Sequence, residues 1–127
     1  MAYDAPGLPC PSTAIDPSGN VVAIQRAFAN IAASTTDGVI VAAVAGKSIR
    51  VLALAAVAGG TATTLTLNSK GAGAGTAISA LLANGANGGE ALNLNPAGWF
   101  QTNSGEGLTA TTGAGSATGV QVVYIAL

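Results

Sequence analysis

The sequence predicts an all-β protein, a jelly-roll-like β-sandwich or barrel preceded by an extended proline-rich arm. Turn-forming clusters recur from Thr36 onward: "TTDG", "AGK", "AGGT", "KGAGAGT", "NGANGG", "NPAG", "NSGEG" and "GAGSATG". Between them lie short runs such as "VIVAAV", "SIRVLALAAV", "ATTLTLNS", "TAISALLA" and "VQVVYIAL". Short strands about 8–12 residues apart, with Gly, Asn and Pro at the joints, mark a sandwich or barrel. Within the runs, Leu65 and Leu67 alternate with Thr64 and Thr66, and Leu92 and Leu94 flank Asn93, as strands with one buried face do.

Residues 1–20 read as the arm, because Pro6, Pro9, Pro11 and Pro17 forbid a helix and cannot serve a central strand. Residues 21–127 read as one sandwich domain. Its first segment, "VVAIQRAFANIAA", places Val21, Ile24, Phe28 and Ile31 at helical spacing, but its β-branched content favours a strand. Val39–Val44 and Val120–Leu127 are apolar at successive positions, so both faces of these strands are expected to be covered, by a second sheet or another subunit. The stretch from Val39 to Gly60 has membrane length, yet Lys47 and Arg50 lie near its centre. Each charge there costs roughly 2.5–3.5 kcal/mol on insertion, so the stretch reads as two strands and a turn. "KGAGAGTA" reads as a hairpin loop, since 18 glycines and 5 prolines fall short of the roughly 25–30% that mark a disordered chain.

Asn95, Pro96 and Gly98 occupy the first, second and fourth places of "NPAG", matching a type I turn in which Asn caps, Pro presets φ and Gly closes. Trp99 and Phe100 follow on opposite faces of the next run. One ring can enter the core while the other lies outward or under a neighbour. The corner reads as a packing device.

Only 7% of the chain is charged and its formal charge is −1, against roughly 25% charged residues in an average soluble protein. So little repulsion between copies favours self-association. The apolar half is built of small residues that each bury little area, and burial between subunits is the usual remedy for a thin core. Arg26, Lys47, Arg50 and Lys70 are scattered, leaving no basic run for nucleic acid or an anionic membrane. The single cysteine, Cys10, has no partner for an internal disulfide or a zinc site and reads as an unpaired thiol. The first twenty residues lack the apolar core of a secretory signal.

The motifs of catalysis and phosphate binding fail on inspection. "AVAGKS" would need a glycine where Val41 stands, and "GAGAGT" carries Thr76 where a dinucleotide fingerprint needs its third glycine. With no histidine, neither a His general base nor a Ser–His or Cys–His pair exists. A carboxylate pair, Glu90 and Glu106, could serve a glycosidase only if the two face each other across a sugar; solvated turn residues are the simpler reading. A carbohydrate- or receptor-binding surface built on stacking against Trp99 is the stronger rival. No cofactor or metal is implied.

The segments "VAAVAGKSIRV", "LLANGANGG", "NPAGWF" and "GEGL", in this order, resemble those of small β-sandwich virion proteins of tailed bacteriophages, including head decoration (cement) proteins. The likeness spans about Asp37 to Leu127 and leaves the arm outside; the Ala- and Gly-rich stretch from Gly71 to Gly89 departs from it. The resemblance implies a jelly-roll-like domain that forms a homotrimer on the outside of the capsid. Its partners would be the major capsid protein and copies of itself, its role to stabilise the shell, and its place of synthesis the host cytoplasm. In that arrangement the arm, through Tyr3, Leu8, Pro9, Pro11 and Ile15, is expected to reach onto the shell or an adjacent copy, because an extended segment can add to an exposed strand edge.

Overall fold

The alternating and all-apolar runs form strands throughout a computed structural model that describes residues 13–127. The first two strands, β1 (Thr13–Ile15) and β2 (Val21–Ala23), make a hairpin in which Thr13 stands opposite Ala23 and Ile15 opposite Val21. Asp16 shapes its turn: Oδ1 accepts from the backbone N–H of Ser18 at 2.9 Å and of Asn20 at 2.8 Å, the Asx geometry that lets a short carboxylate stand in for backbone.

The sandwich follows as β3 (Gln25–Ile31), β4 (Gly38–Val41), β5 (Ile49–Ala58), β6 (Thr63–Lys70), β7 (Thr76–Ala77) and β8 (Leu82–Asn84). It closes with β9 (Gly89–Leu92), β10 (Phe100–Gln101), β11 (Gly107–Thr112) and β12 (Thr118–Ala126). One sheet runs β3-β12-β5, with β9 and β10 both on the far edge of β5; the other runs β4-β11-β6, with β7 and β8 both on the far edge of β6. All pairings are antiparallel. If β7 with β8, and β9 with β10, are each taken as one interrupted strand, successive strands fill two four-stranded sheets in the order of a jelly roll. The ambiguous "VVAIQRAFANIAA" segment is strand.

The core lies between the sheets. Ile49, Val51, Leu54 and Ala56 of β5 and Val120 and Val122 of β12 meet Leu65 and Leu67 of β6 and Leu108 and Ala110 of β11. The alternation of β6 is realised as read, with Leu65 and Leu67 fully buried and Thr64 and Thr66 partly exposed. Each fully buried Leu contributes about 1.5–3 kcal/mol relative to exposure.

Within the single chain one expectation is met on one face only, and another is corrected. Val39 and Val44 are exposed while Ile40 and Val41 are buried, so β4 has only its inner face covered. The outer face of β12, a central strand between β5 and β3, carries exposed Gln121 and half-buried Val123; within the single chain the second sheet covers only the inner face of each run. "TAISALLA" is likewise not one strand but two short pieces separated by exposed Ala80 and Leu81.

Candidate functional site

The corner at residues 95–98 is a closed turn. Gly98 N–H donates to Asn95 O at 2.9 Å, and Ala97 N–H donates to Asn95 Oδ1 at 3.0 Å. Gly98 has φ +87°, and a Cβ there would lie 2.5 Å from Arg50 Cγ; both the backbone and the Arg50 stem therefore require glycine. The turn is stitched to β5 through Asn95 N–H to Leu52 O and Trp99 N–H to Val51 O, each 2.8 Å. Phe100 packs against the core. Trp99 is 43% exposed, and its indole N–H donates to Asn93 O at 2.7 Å, so the ring's only polar handle is already used.

Of the arm residues, Tyr3, Leu8, Pro9 and Pro11, like Cys10, lie outside the described residues. Ile15 is exposed at the hairpin, where it shares a hollow of about 320 Å³ with Ile24, Leu52, Leu94 and Pro96. Leu52 itself is only 2% exposed. It falls at the register shift where β12 passes from Val123, opposite Ala53, to Tyr124, opposite Val51. The hairpin and the corner thus meet over the same leucine on the outside of the sheet.

Beyond this seam the outer face of the β3-β12-β5-β9 sheet is open. The register sets rows across it: Phe28, Gln121, Ala55 and Ala91 form one, and Asn30, Gly119, Val57 and Gly89 the next. Phe28 is 79% exposed and Val57 54%, standing over a floor of Ala and Gly. A shallow hollow of about 700 Å³ runs between Phe28, Ala55, Ala91 and Leu94, with Arg26 as its one charge. Two rows at strand spacing cover roughly 200–250 Å², mostly small apolar side chains with Gln121 and Asn30 among them. Sequence pattern did not single out Phe28 as a surface residue, since its spacing fits a core aromatic equally well; only the pairing with Gln121 puts it outside.

The carboxylates do not converge. Glu90 Oε1 accepts from Asn84 Nδ2 at 3.4 Å, and Asn84 stands opposite Thr63 at the start of β6. Glu106 Oε1 accepts from Ser69 Oγ at 2.6 Å, near the end of that strand. Six residues of strand separate the two sites by about 20 Å, against the roughly 5–10 Å of a glycosidase pair. The two glutamates therefore do not face each other across a sugar.

A third carboxylate, unremarked in the sequence, organises the loop after β6. Asp37 takes the left-handed conformation, φ +55°. Its Oδ1 accepts from Asn68 Nδ2 at 3.0 Å and Thr109 Oγ1 at 3.1 Å, and its Oδ2 accepts from Gly75 N–H at 2.9 Å. The Gly75 hydrogen bond, with help from Thr109, the nearby Lys70 charge and Asn68, holds the Asp37 carboxyl below the usual range. In "KGAGAGT" the Lys70 ammonium donates to Gly71 O at 3.3 Å and to Gly73 O. The loop turns carbonyls, not amides, toward its lysine, which is the wrong polarity for a phosphate cradle. "AVAGKS" is a turn closed by Lys47 N–H to Val44 O at 3.0 Å, with Gly46 at φ +71°. Among the described residues no group of three or more Cys, Asp or Glu could hold a metal ion, and no helix is long and apolar enough to cross a membrane.

No protein-family model matches the chain, and no curated protein matches it. Among solved structures it is similar to the cryo-EM structure of a virus-like particle of extra small virus from the giant freshwater prawn Macrobrachium rosenbergii. The two share 17% identity at a TM-score of 0.37, over 99% of this chain and 93% of the other.

Proposed function

We propose that this chain is a non-enzymatic structural protein of a virion that works as an assembly of copies. The carrying observation is the open outer face of the β3-β12-β5-β9 sheet, where a phenylalanine 79% exposed stands on a floor of small residues with a single charge at its rim. Burying the Phe28 ring alone stabilises an interface by about 1.5–3 kcal/mol, and a net charge of −1 leaves little to oppose close packing of copies. Jelly rolls also serve lectins and cupins, so fold by itself does not choose. The separation of Glu90 and Glu106 counts against a glycosidase pair, while the half-exposed Trp99 ring keeps a face on which a sugar could stack, so carbohydrate recognition stands as the alternative reading.

In its finer form the proposal follows the tailed-phage resemblance: a homotrimeric decoration protein seated on the major capsid protein, with Tyr3, Leu8, Pro9, Pro11 and Ile15 of the arm in contact with the shell or an adjacent copy. Mass spectrometry of virions purified on a density gradient tests the role. The chain should co-migrate with the major capsid protein in amounts comparable to it, and its absence from washed particles would overturn the proposal. Deleting residues 2–17 should abolish attachment to capsids; undiminished attachment would remove the arm from the contact.

A further inference from the structure

β3 is a long strand with an unpaired side. Among the described residues it pairs with β12 alone, so alternate N–H and C=O groups along its other side meet no strand. Sheet edges are ordinarily guarded by a short strand, a bulge, a proline or a lysine. β3 has none of these: it runs seven residues, "QRAFANI", and keeps one register with β12 from Gln25 to Ile31. β4, the neighbouring edge of the other sheet, is guarded twice over, being four residues long and paired to β11 through a register shift.

The sheet that ends in β3 ends on its other margin in β9, four residues that pair with β5. The three pairings between these margins are antiparallel, so β3 and β9 run in opposite directions. A second copy set alongside with the same face outward therefore presents its β9 antiparallel to β3, the arrangement that continues the sheet. The margins also match in charge and in apolar surface. Arg26 is the one charged residue of β3, and Glu90 is that of β9. Phe28 stands exposed at the first margin; exposed Leu94 follows the second, close to Ala91 in the lining of the shallow hollow.

We infer that the unpaired edge of β3 is a docking site for a second copy of the chain, which adds its β9 to that edge and brings Ala91 and Leu94 against Phe28. Main-chain hydrogen bonds carry such a strand addition, and the flanking side chains select the partner. The contact joins unlike surfaces, so copies follow one another head to tail and close into a ring where the rotation allows. A four-residue strand with one aromatic ring falls below the roughly 1,200 Å² of a stable two-body interface; in a closed ring each copy makes the contact twice, which multiplies its strength. The inference rests on the assembly reading and names the two surfaces that the assembly uses.

Cross-linking tests it. Asn30→Cys and Ala91→Cys, both at exposed outer positions, would be placed on separate full-length chains that also carry Cys10→Ser, and the two chains co-expressed. A bis-maleimide as long as β9, about 13 Å, reaches between the margins in any register of the added strand. Each chain holds one cysteine, so every link joins two copies, and peptide mass spectrometry identifies its ends. Links from position 30 to position 91 at least five-fold above links from 30 to 30 or 91 to 91, and above a control pair with Ala83→Cys on the opposite sheet, are the expected result. Links between like positions in equal amount, or 30-to-91 links no greater than the control, would overturn the inference. The wild-type mass, read in parallel by light scattering, separates the two claims: an oligomer without the 30-to-91 link overturns this docking and leaves the assembly reading standing, whereas a monomer overturns both.

Discussion

Replacing Asp37 with alanine should unfold the molecule from the loop side. The carboxylate accepts three hydrogen bonds, from Asn68, Thr109 and Gly75, and so ties β6, β11 and the glycine-rich loop to the start of β4. Asn68 keeps its second acceptor, Thr111 Oγ1 at 2.9 Å, and Gly75 N–H can turn to water. Thr109 is only 2% exposed, and its hydroxyl is left without that partner. An unsatisfied buried hydroxyl costs about 1–3 kcal/mol, and hydrogen bonds to a charged group contribute about 1.5–3 kcal/mol. Because Asp37 is itself partly exposed, solvent offsets part of the second figure, and the expected loss is about 2–3 kcal/mol. With a urea slope of about 1–3 kcal/mol per molar, the midpoint should fall by about 1–2 M at pH 7. The sign with pH follows from the direction of the shift. The folded carboxyl titrates below its unfolded value, so its contribution is complete above the unfolded value of about 3.9 and disappears as pH falls through the folded one. Wild type and Asp37→Ala, compared at one protein concentration, should therefore converge as the pH is lowered toward 2. A midpoint change below about 0.3 M at pH 7, or a difference that persists undiminished at low pH, would refute the reasoning.

Other expected outcomes follow from single residues. Gly98→Ala forces a side chain into φ +87° and against Arg50 Cγ. Strain of about 1–3 kcal/mol should lower the thermal midpoint by several degrees, and an unchanged midpoint by calorimetry would show that the corner relaxes freely. Leu67→Ala empties a fully buried site in the middle of β6 and should cost about 2–5 kcal/mol in urea unfolding; a cost below 1 kcal/mol would contradict its place in the core. Trp99→Ala should leave a glycan array as blank as the wild type. A specific sugar bound by the wild type and lost in the variant would move carbohydrate recognition to the front.

The fold was legible wherever chemistry repeated with the strand period. Leu65 and Leu67 announced β6, and the glycine-rich clusters marked the joints because tight turns need φ values that other residues resist. The "NPAG" corner was legible down to its hydrogen bond, since Asn, Pro and Gly each act locally. What stayed hidden depended on pairing between distant strands. Phe28 is outside because it stands opposite Gln121, ninety-three positions away; no window of the sequence contains that fact. Asp37 reads as an ordinary turn residue until β6 and β11 bring Asn68 and Thr109 to it. The glutamates show the converse. Each follows a glycine in a turn cluster, yet Glu90 falls inside β9 and Glu106 just before β11, and these similar local settings place them at opposite ends of β6.

The chain is proposed to work as an assembly of copies held through the open face of the β3-β12-β5-β9 sheet. Light scattering behind a sizing column measures this directly, on the full-length protein and on Phe28→Lys, whose charge would have to be buried in any such interface. A wild-type mass three times that of the chain, falling toward the monomer in Phe28→Lys while strand content by circular dichroism is unchanged, is the predicted result. A wild-type protein that stays monomeric at high micromolar concentration, or an oligomer indifferent to Phe28→Lys, would contradict it.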